Sequence, residues 1–206
     1  METADMSAEE QNAGEMREKT DEELVRLTLE DRDCFLYLMR RYQAPLARYI
    51  VRLAGLTRED TEDVLQESFI KIYRNLKGFD TSLKFSSWAY RITHNETMDH
   101  LRRRRSRPRI IETADQDELL RRIAADTDLE TAADRDLMIR ILRQSLARLS
   151  PKYREVLVLR YLEERDYREI SDILRLPEGT VATRLNRAKI RLRGEYVKSS
   201  EKGGDL

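Results

Sequence analysis

Residues 167–193 read YREISDILRLPEGTVATRLNRAKIRLR, and this stretch decides the fold of the C-terminal part of the chain. A short helix is predicted over about residues 166–174, with a turn at Leu176 and Pro177 after it. Proline cannot continue a helix but fits the first turn of the next one. The second helix carries one apolar stripe with helical spacing, formed by Val181, Leu185, Ala188 and Leu192. The stretch therefore predicts a helix-turn-helix.

A different face of the second helix carries threonine and arginine. It is formed by Thr180, Thr183, Arg184, Arg187 and Arg191. A helix with one buried stripe and such a face fits the major groove of duplex DNA, where these side chains reach base edges and phosphates. A solvated helix of an all-α bundle also displays charge on its exposed face, so this segment alone leaves both interpretations open.

Composition favours helices along the whole chain of 206 residues, because glycine (7) and proline (4) are scarce and 38% of residues are charged. It argues against a β-sandwich and against a glycine-rich nucleotide loop. Cys34 is the only cysteine, which excludes an intrachain disulfide and favours a reducing compartment. No apolar run approaches the roughly 20 residues of a membrane span, and the N-terminus lacks an apolar signal core. The sequence thus predicts a cytoplasmic protein.

Net charge is zero, but the charges are unevenly distributed. Residues 84–109 carry eight bases against two acids, and residues 177–198 carry six against two. Between them, residues 110–136 carry nine acids against three bases, and residues 1–23 carry nine acids against two bases. Two basic segments separated by an acidic one predict two contacts with nucleic acid and a connector with another role.

The N-terminal half predicts a bundle of helices. Thr20 begins a long helical pattern, Pro45 is expected to kink or restart it, and Gly55 is expected to end it. Thr57 begins the next helix, and its buried stripe is formed by Leu65, Phe69, Ile72 and Leu76. A further helix is predicted over about residues 85–105. Its apolar side is formed by Phe85, Trp88, Ala89 and Ile92, and we interpret the tryptophan as a core residue rather than a DNA-stacking one.

No arrangement of residues indicates an enzyme. His94 and His100 are six residues apart, which places them on different helix faces, and no cysteine cluster completes a metal site. Glycine-rich phosphate loops and nucleophile elbows are also missing from the sequence. The sequence predicts no catalytic residues, no metal site and no cofactor.

Two parts of the chain resemble one known family. Residues 60–73 (DTEDVLQESFIKIY) and 85–104 (FSSWAYRITHNETMDHLRRR) resemble region 2 of bacterial sigma factors. Residues 149–160 (LSPKYREVLVLR), together with the helix-turn-helix, resemble region 4. The resemblance covers about residues 21–197. Because the two regions occur in the family's order with only a short linker, the chain is identified as a member of the small extracytoplasmic-function (ECF) group.

The resemblance implies an all-α fold of two small helical domains, a region 2 helical bundle and a region 4 helix-turn-helix, joined by an acidic linker. The expected boundaries are 20–107 for region 2, 108–133 for the linker and 134–198 for region 4. Residues 1–19 are expected to be disordered and residues 199–206 to form a flexible tail.

The resemblance also implies a function in transcription initiation. The protein would bind core RNA polymerase, through its β′ and β subunits, and direct it to a class of promoters. Region 2 would recognise and help melt the minus-ten element, and region 4 would read the minus-thirty-five element as duplex. The linker would thread through the polymerase and mimic nucleic acid, although an unstructured solubilising linker explains its acids equally well. An anti-sigma factor is an expected partner, and direct insertion into a membrane is not expected.

Melted minus-ten DNA requires a basic surface for its phosphates and groups that accept unstacked bases. The loop at residues 79–84 is the best candidate for a pocket around a flipped base, and the helix after it supplies charge. The predicted minus-ten residues are Phe79, Asp80, Thr81, Ser82, Leu83, Lys84, Tyr90, Arg91, Asn95, Arg102 and Arg103. His94 stands where the family commonly has arginine, which weakens an exact transfer of roles at this point.

In region 4, the predicted base-proximal residues are Thr180, Thr183, Arg184 and Arg187. The predicted phosphate contacts, which set register rather than sequence preference, are Arg168, Lys189 and Arg191. The resemblance assigns polymerase binding to a mixed acidic and apolar face formed by Asp60, Asp63, Gln66, Glu67 and Ile70. Such a face suits a basic coiled coil of β′, although an isolated surface isoleucine explains Ile70 equally well.

Two other functions compete with this interpretation. A transcription regulator would use residues 21–107 as a sensor domain and bind an operator without replacing a polymerase subunit; the second basic surface argues against it. An antagonist that mimics a sigma factor would have an eroded DNA-reading face, whereas Arg184, Arg187 and Arg191 are present.

Overall fold

The fold is that of a computed structural model, in which residues 14–104, 142, 144–146 and 148–203 are described. Every regular element among these residues is a helix, which confirms the predicted all-α class. The predicted linker at 108–133 lies outside the described residues. None of the described helices is both long and apolar enough to cross a membrane.

Among the residues that the structure describes, the N-terminal domain contains four long helices. They are α1 (Asp21–Glu30), α2 (Phe35–Ala54), α3 (Arg58–Asn75) and α4 (Phe85–Arg104). Thr20 and Glu23 form a capping box that starts α1, and the Thr57 hydroxyl caps α3 by accepting from the Asp60 amide. Gly55, with φ of 60°, ends α2 in the left-handed conformation that glycine tolerates.

The first helical segment differs from prediction at three points. The long pattern after Thr20 is divided by a 3-10 turn, Arg32–Cys34, where the Asp31 carboxylate accepts from the Asp33 amide. Pro45 does not restart the helix, because α2 continues through it. Residues 14–18 are helical, although the sequence predicted disorder up to residue 19.

Aromatic rings fill the centre of this domain. Trp88 is only 8% exposed and packs against Phe79 and Phe85, with ring centroids 5.0 and 5.8 Å away. The interpretation of this tryptophan as a core residue is therefore confirmed. The stripe predicted for α3 is also buried, as Leu65, Phe69, Ile72 and Leu76.

The C-terminal domain contains α5 (Pro151–Leu157), which continues as one π-helical turn (Val158–Leu162), then α6 (Tyr167–Leu174) and α7 (Glu178–Gly203). Asp166 and Glu169 form a capping box at the start of α6. The stripe of Val181, Leu185, Ala188 and Leu192 is buried, which confirms the helix-turn-helix. Helix α7 runs to Gly203, past the start of the predicted flexible tail.

The two domains pack directly on each other. Helix α6 contacts α4, and the buried apolar residues of both domains belong to one cluster. The surface of α4 that faces the C-terminal domain is therefore covered in this structure.

Candidate nucleic-acid and protein interfaces

The second helix of the helix-turn-helix presents a polar face. Thr183, Arg187 and Arg191 are exposed on α7, Thr180 and Lys189 are half-buried, and Arg168 is exposed on α6. The Thr183 hydroxyl donates to the Gly179 carbonyl at 2.8 Å. The Arg191 guanidinium lies over the Tyr153 ring at 4.8 Å, and the Lys189 ammonium lies over the Tyr161 ring at 5.5 Å. Because the apolar stripe of α7 is buried, the opposite, polar face of its N-terminal half is directed toward solvent.

Arg184 differs from the other arginines of this face. Its guanidinium is half-buried and donates to the Glu155 carboxylate on α5 at 3.0 Å. Within the described part of the chain, Arg187 forms no salt bridge and is exposed. The structure therefore presents Arg187, and the exposed amide of Asn186 beside it, more openly than Arg184. The sequence interpretation missed Asn186, because an uncharged side chain adds nothing to a count of basic residues.

Glu155 is also at the contact between the two domains. Its carboxylate lies 3.7 Å from Nε2 of His94, whose Nδ1 is 2.9 Å from the Tyr49 hydroxyl. Burial raises the pKa of Glu155 to about 7, although Arg184 acts in the opposite direction. Burial lowers the pKa of His94 to about 4. The interface therefore favours the neutral forms of both groups.

The predicted minus-ten residues divide by exposure. Asp80, Thr81, Ser82, Lys84, Asn95, Arg102 and Arg103 are exposed, Leu83 and Arg91 are half-buried, and Phe79 and Tyr90 are buried. The Asp80 carboxylate accepts from the Ser82 amide at 2.9 Å, and this bond lowers the pKa of Asp80. The loop is thus held in a turn by its own side chain, while Phe79 anchors it to the core.

The position of Tyr90 differs from the sequence interpretation, which placed this residue outside the apolar side of α4 and available to DNA. It is 1% exposed, its ring lies 5.1 Å from that of Tyr49, and its hydroxyl donates to Glu163 at 2.7 Å. The Arg165 guanidinium covers the same ring at 4.4 Å. Helix α4 is covered on this side by the second domain, so the residue that lies off the first core is buried in the contact.

Two carboxylates of the C-terminal domain, those of Glu163 and Glu169, form salt bridges with basic side chains of the N-terminal domain. We call these two residues the acidic clasp. Glu163 accepts from Arg52 at 2.9 Å, and Glu169 pairs with Lys84 at 3.1 Å. Arg52 was not predicted as a site residue, because it is one of four arginines in α2 and nothing in the sequence distinguishes it from the other three. Its pairing becomes visible only when the two domains are assembled.

A groove of about 630 Å³ opens between α2 and α3. It is lined by Arg32, Phe35, Met39, Gln43, Glu62, Leu65, Gln66, Phe69, Ile70, Tyr73 and Arg74. Two of the predicted polymerase-binding residues, Gln66 and Ile70, therefore line one concave apolar site, and Asp63 and Glu67 are exposed on the same helix.

Asp60 does not share this exposed face. It is buried, with its carboxylate 3.0 Å from the Thr57 hydroxyl and 3.6 Å from Nε2 of His100. The expectation that Asp60 projects with the other acids is therefore wrong. A position in the first turn of α3 turns it inward, toward α4.

Comparison with known proteins agrees with this arrangement. Residues 38–107 match the family model of Sigma-70 region 2, and residues 139–192 match that of Sigma-70 region 4. The chain is 36% identical over 167 residues to the ECF RNA polymerase sigma factor SigW of Bacillus subtilis. The aligned residues cover 79% of this chain and 89% of SigW. It is 34% identical over 179 residues to the RNA polymerase sigma-H factor of Pseudomonas aeruginosa, covering 84% and 92% of the two chains.

The chain belongs to the ECF sigma factors. This sigma factor directs promoter-specific transcription initiation by RNA polymerase, and its role is not enzymatic. Its fold is also similar to the solved structure of CnrH in complex with the cytosolic domain of CnrY, with a TM-score of 0.61, 23% identity and coverage of 85% of this chain and 96% of that chain. A second solved structure, the sigma factor RpoE with the anti-sigma factor NepR from Bartonella quintana, gives a TM-score of 0.55 at 21% identity, with 80% and 96% covered.

Proposed function

We propose that three surfaces of this sigma factor divide the work of promoter recognition. The α2–α3 groove binds core polymerase, the loop at 79–84 with α4 binds minus-ten DNA, and α7 reads the minus-thirty-five element. The observation that carries the proposal is the polar face of α7, which stays exposed on a buried apolar stripe in a chain of this family.

The groove suits a helix of the polymerase β′ subunit. Phe35, Phe69 and Ile70 supply apolar surface, while the exposed acids Asp63 and Glu67 lie on the same helix as the isoleucine. Charge steers the encounter with a basic coiled coil, and apolar contact in the groove holds it. Region 4 contributes a second contact, with the β subunit.

In region 4, α7 enters the major groove by its N-terminal half. Thr183 and Arg187 approach base edges, and Arg168, Lys189 and Arg191 neutralise phosphates. Thr180 lies at the start of the same face, and Arg184 reaches DNA only when its bond to Glu155 is released.

In region 2, the exposed side chains of the loop at 79–84, which include Lys84, surround an unstacked base of the minus-ten element. Arg91, Arg102 and Arg103 neutralise the backbone along α4, with Asn95 between them.

An anti-sigma factor is the proposed regulator of this chain. The sigma factor RpoE of Bartonella quintana is solved in complex with the anti-sigma factor NepR, and CnrH is solved with the cytosolic domain of CnrY. The fold shared with both chains supports a protein partner of the same kind here.

The proposed function is tested with purified components. The protein is mixed with core RNA polymerase and passed over a sizing column, and run-off transcription is then measured from the promoter of its own operon. Co-elution with new promoter-specific transcripts is the expected result. Binding to duplex DNA without binding to core polymerase would instead support a regulator that acts at an operator.

Arg187→Ala is expected to reduce run-off transcription from a minus-thirty-five-dependent promoter by about tenfold, because loss of one good base contact costs about 1–3 kcal/mol. Arg193→Ala is the matched control, since it removes the same charge from another exposed position of α7. Core polymerase should bind both variants as tightly as it binds the parent. Loss of core binding together with transcription would indicate a folding defect and not a DNA contact.

A further inference from the structure

We propose that Glu155, a residue of α5, is a specificity-determining residue for the minus-thirty-five element, because it holds Arg184 of α7 away from the bases. The inference rests on the proposed reading of this element by α7. Glu155 contacts no base in this role. It acts through Arg184, by removing one arginine from the set that α7 presents to DNA.

Arg184 has a sequence position that suits a base contact. It follows Thr180 by about one helical turn and precedes Arg187 by three residues, so all three lie in the N-terminal half of α7. An arginine in this part of a recognition helix is able to donate to both O6 and N7 of a guanine. The Arg184 side chain is only 28% exposed, however, because it is directed toward α5.

The carboxylate of Glu155 keeps the guanidinium in this position. Its Oε1 accepts from Nη1 of Arg184 at 3.0 Å, and the Glu155 side chain is only 12% exposed. A bond between two charged groups is stronger than a bond from arginine to the neutral acceptors of a base. Release of Arg184 would also leave a buried carboxylate without its cationic partner. We therefore expect the bond to persist when α7 enters the major groove.

The other arginines of the predicted reading face are not held in this way. Arg187 is exposed, and among the described residues it forms no salt bridge. Arg191 lies over the Tyr153 ring at 4.8 Å, an arrangement that leaves the edge of the guanidinium available to a phosphate. Of the three arginines, Arg184 alone is paired with a carboxylate in the described part of the chain. Helix α7 thus reads fewer bases than its sequence suggests.

Glu155→Gln tests the inference, because it removes the charge that holds Arg184 while keeping side-chain size. Holoenzyme is assembled from core polymerase and the full chain, and it is mixed with promoter fragments randomised across the minus-thirty-five element. The bound fragments are then sequenced. The experiment is made at about pH 8, above the raised pKa of about 7 of Glu155, so that the parent carboxylate is charged.

The expected result is a new preference for guanine at one position of the element, by about tenfold, which is the discrimination that one bidentate arginine contact provides. Combining Glu155→Gln with Arg184→Ala should abolish this preference. Glu163→Gln is the matched control, since it removes the same charge from a buried carboxylate that bonds to Arg52 and Tyr90. It should leave the base preference of the parent unchanged.

Three results would overturn the inference while the proposed function stands. They are an unchanged preference in Glu155→Gln, loss of a preference that the parent shows, and a new preference that persists without Arg184. A parent holoenzyme with no preference anywhere in the element would overturn the reading by α7 and this inference with it.

Arg184→Ala alone provides a second test if Glu155→Gln loses helicity by circular dichroism. Because the parent Arg184 is held by Glu155, its removal should leave the base preference unchanged, whatever it does to overall affinity. Loss of selectivity at one position would show that Arg184 contacts a base in the parent, and would overturn the inference.

Discussion

Asp63→Arg combined with Ile70→Glu is expected to weaken the binding of core RNA polymerase by about 100-fold, which corresponds to about 2.7 kcal/mol. Ile70 lies in the α2–α3 groove beside the buried ring of Phe69, so a glutamate there places a charge in an apolar contact. Asp63 is exposed on the same helix, and reversing its charge converts attraction toward a basic coiled coil into repulsion.

The measurement is a titration of labelled sigma factor with core polymerase at two salt concentrations. The matched control combines Glu59→Arg with Leu29→Glu, because it makes the same two kinds of change at an exposed acid of α3 and an exposed apolar residue of α1, neither of which lines the groove. Both double variants should still bind minus-thirty-five duplex. Unchanged core affinity in the groove variant would remove α3 from the docking surface.

Glu155→Gln is expected to change how stability depends on pH. Burial raises the pKa of Glu155 from 4.5 to about 7 in the folded protein. Between these values the unfolded chain releases a proton that the folded chain keeps, so the stability of the parent falls as pH rises. The glutamine variant has no such group. The free energy of unfolding of the variant minus that of the parent should therefore increase by about 3 kcal/mol between about pH 4.5 and pH 8.

Urea unfolding of both proteins across this pH range measures the difference directly. His94 is present in both, so its own titration cancels to first order in the comparison. The change should be complete by about one pH unit above the folded pKa of about 7. A difference in unfolding free energy that stays constant with pH would contradict a raised pKa for Glu155.

The sequence predicts well those features that depend only on residues within one helix or at its ends. The α6–turn–α7 motif follows from Pro177 and from an apolar stripe at helical spacing. The core position of Trp88 follows from the same periodicity. Such signals are local, because caps and stripes depend on residues only a few positions apart.

The contacts between domains escaped prediction for the opposite reason. Arg52 and Glu163 are 111 positions apart, and no spacing rule connects them. Tyr90 was placed off the apolar side because periodicity describes packing within one bundle, while α4 packs against both domains. Asp60 looked like its exposed acidic neighbours, although the first turn of α3 directs it inward. Which of the exposed residues contact DNA or polymerase stays a prediction until the variants are measured.

A series of side-chain contacts that runs from α7 into region 2 limits which residues can be changed to alter promoter preference. Arg184 on α7 bonds to Glu155, which lies near His94, which in turn meets Tyr49 in the core of region 2. A substitution at Arg184 therefore alters the junction between domains as well as the reading face, and its two effects are inseparable. Positions Thr183, Asn186 and Arg187 are exposed and outside this chain of contacts. Redesign of promoter selectivity should begin at those three positions, because substitutions there leave the contact between the two domains unchanged.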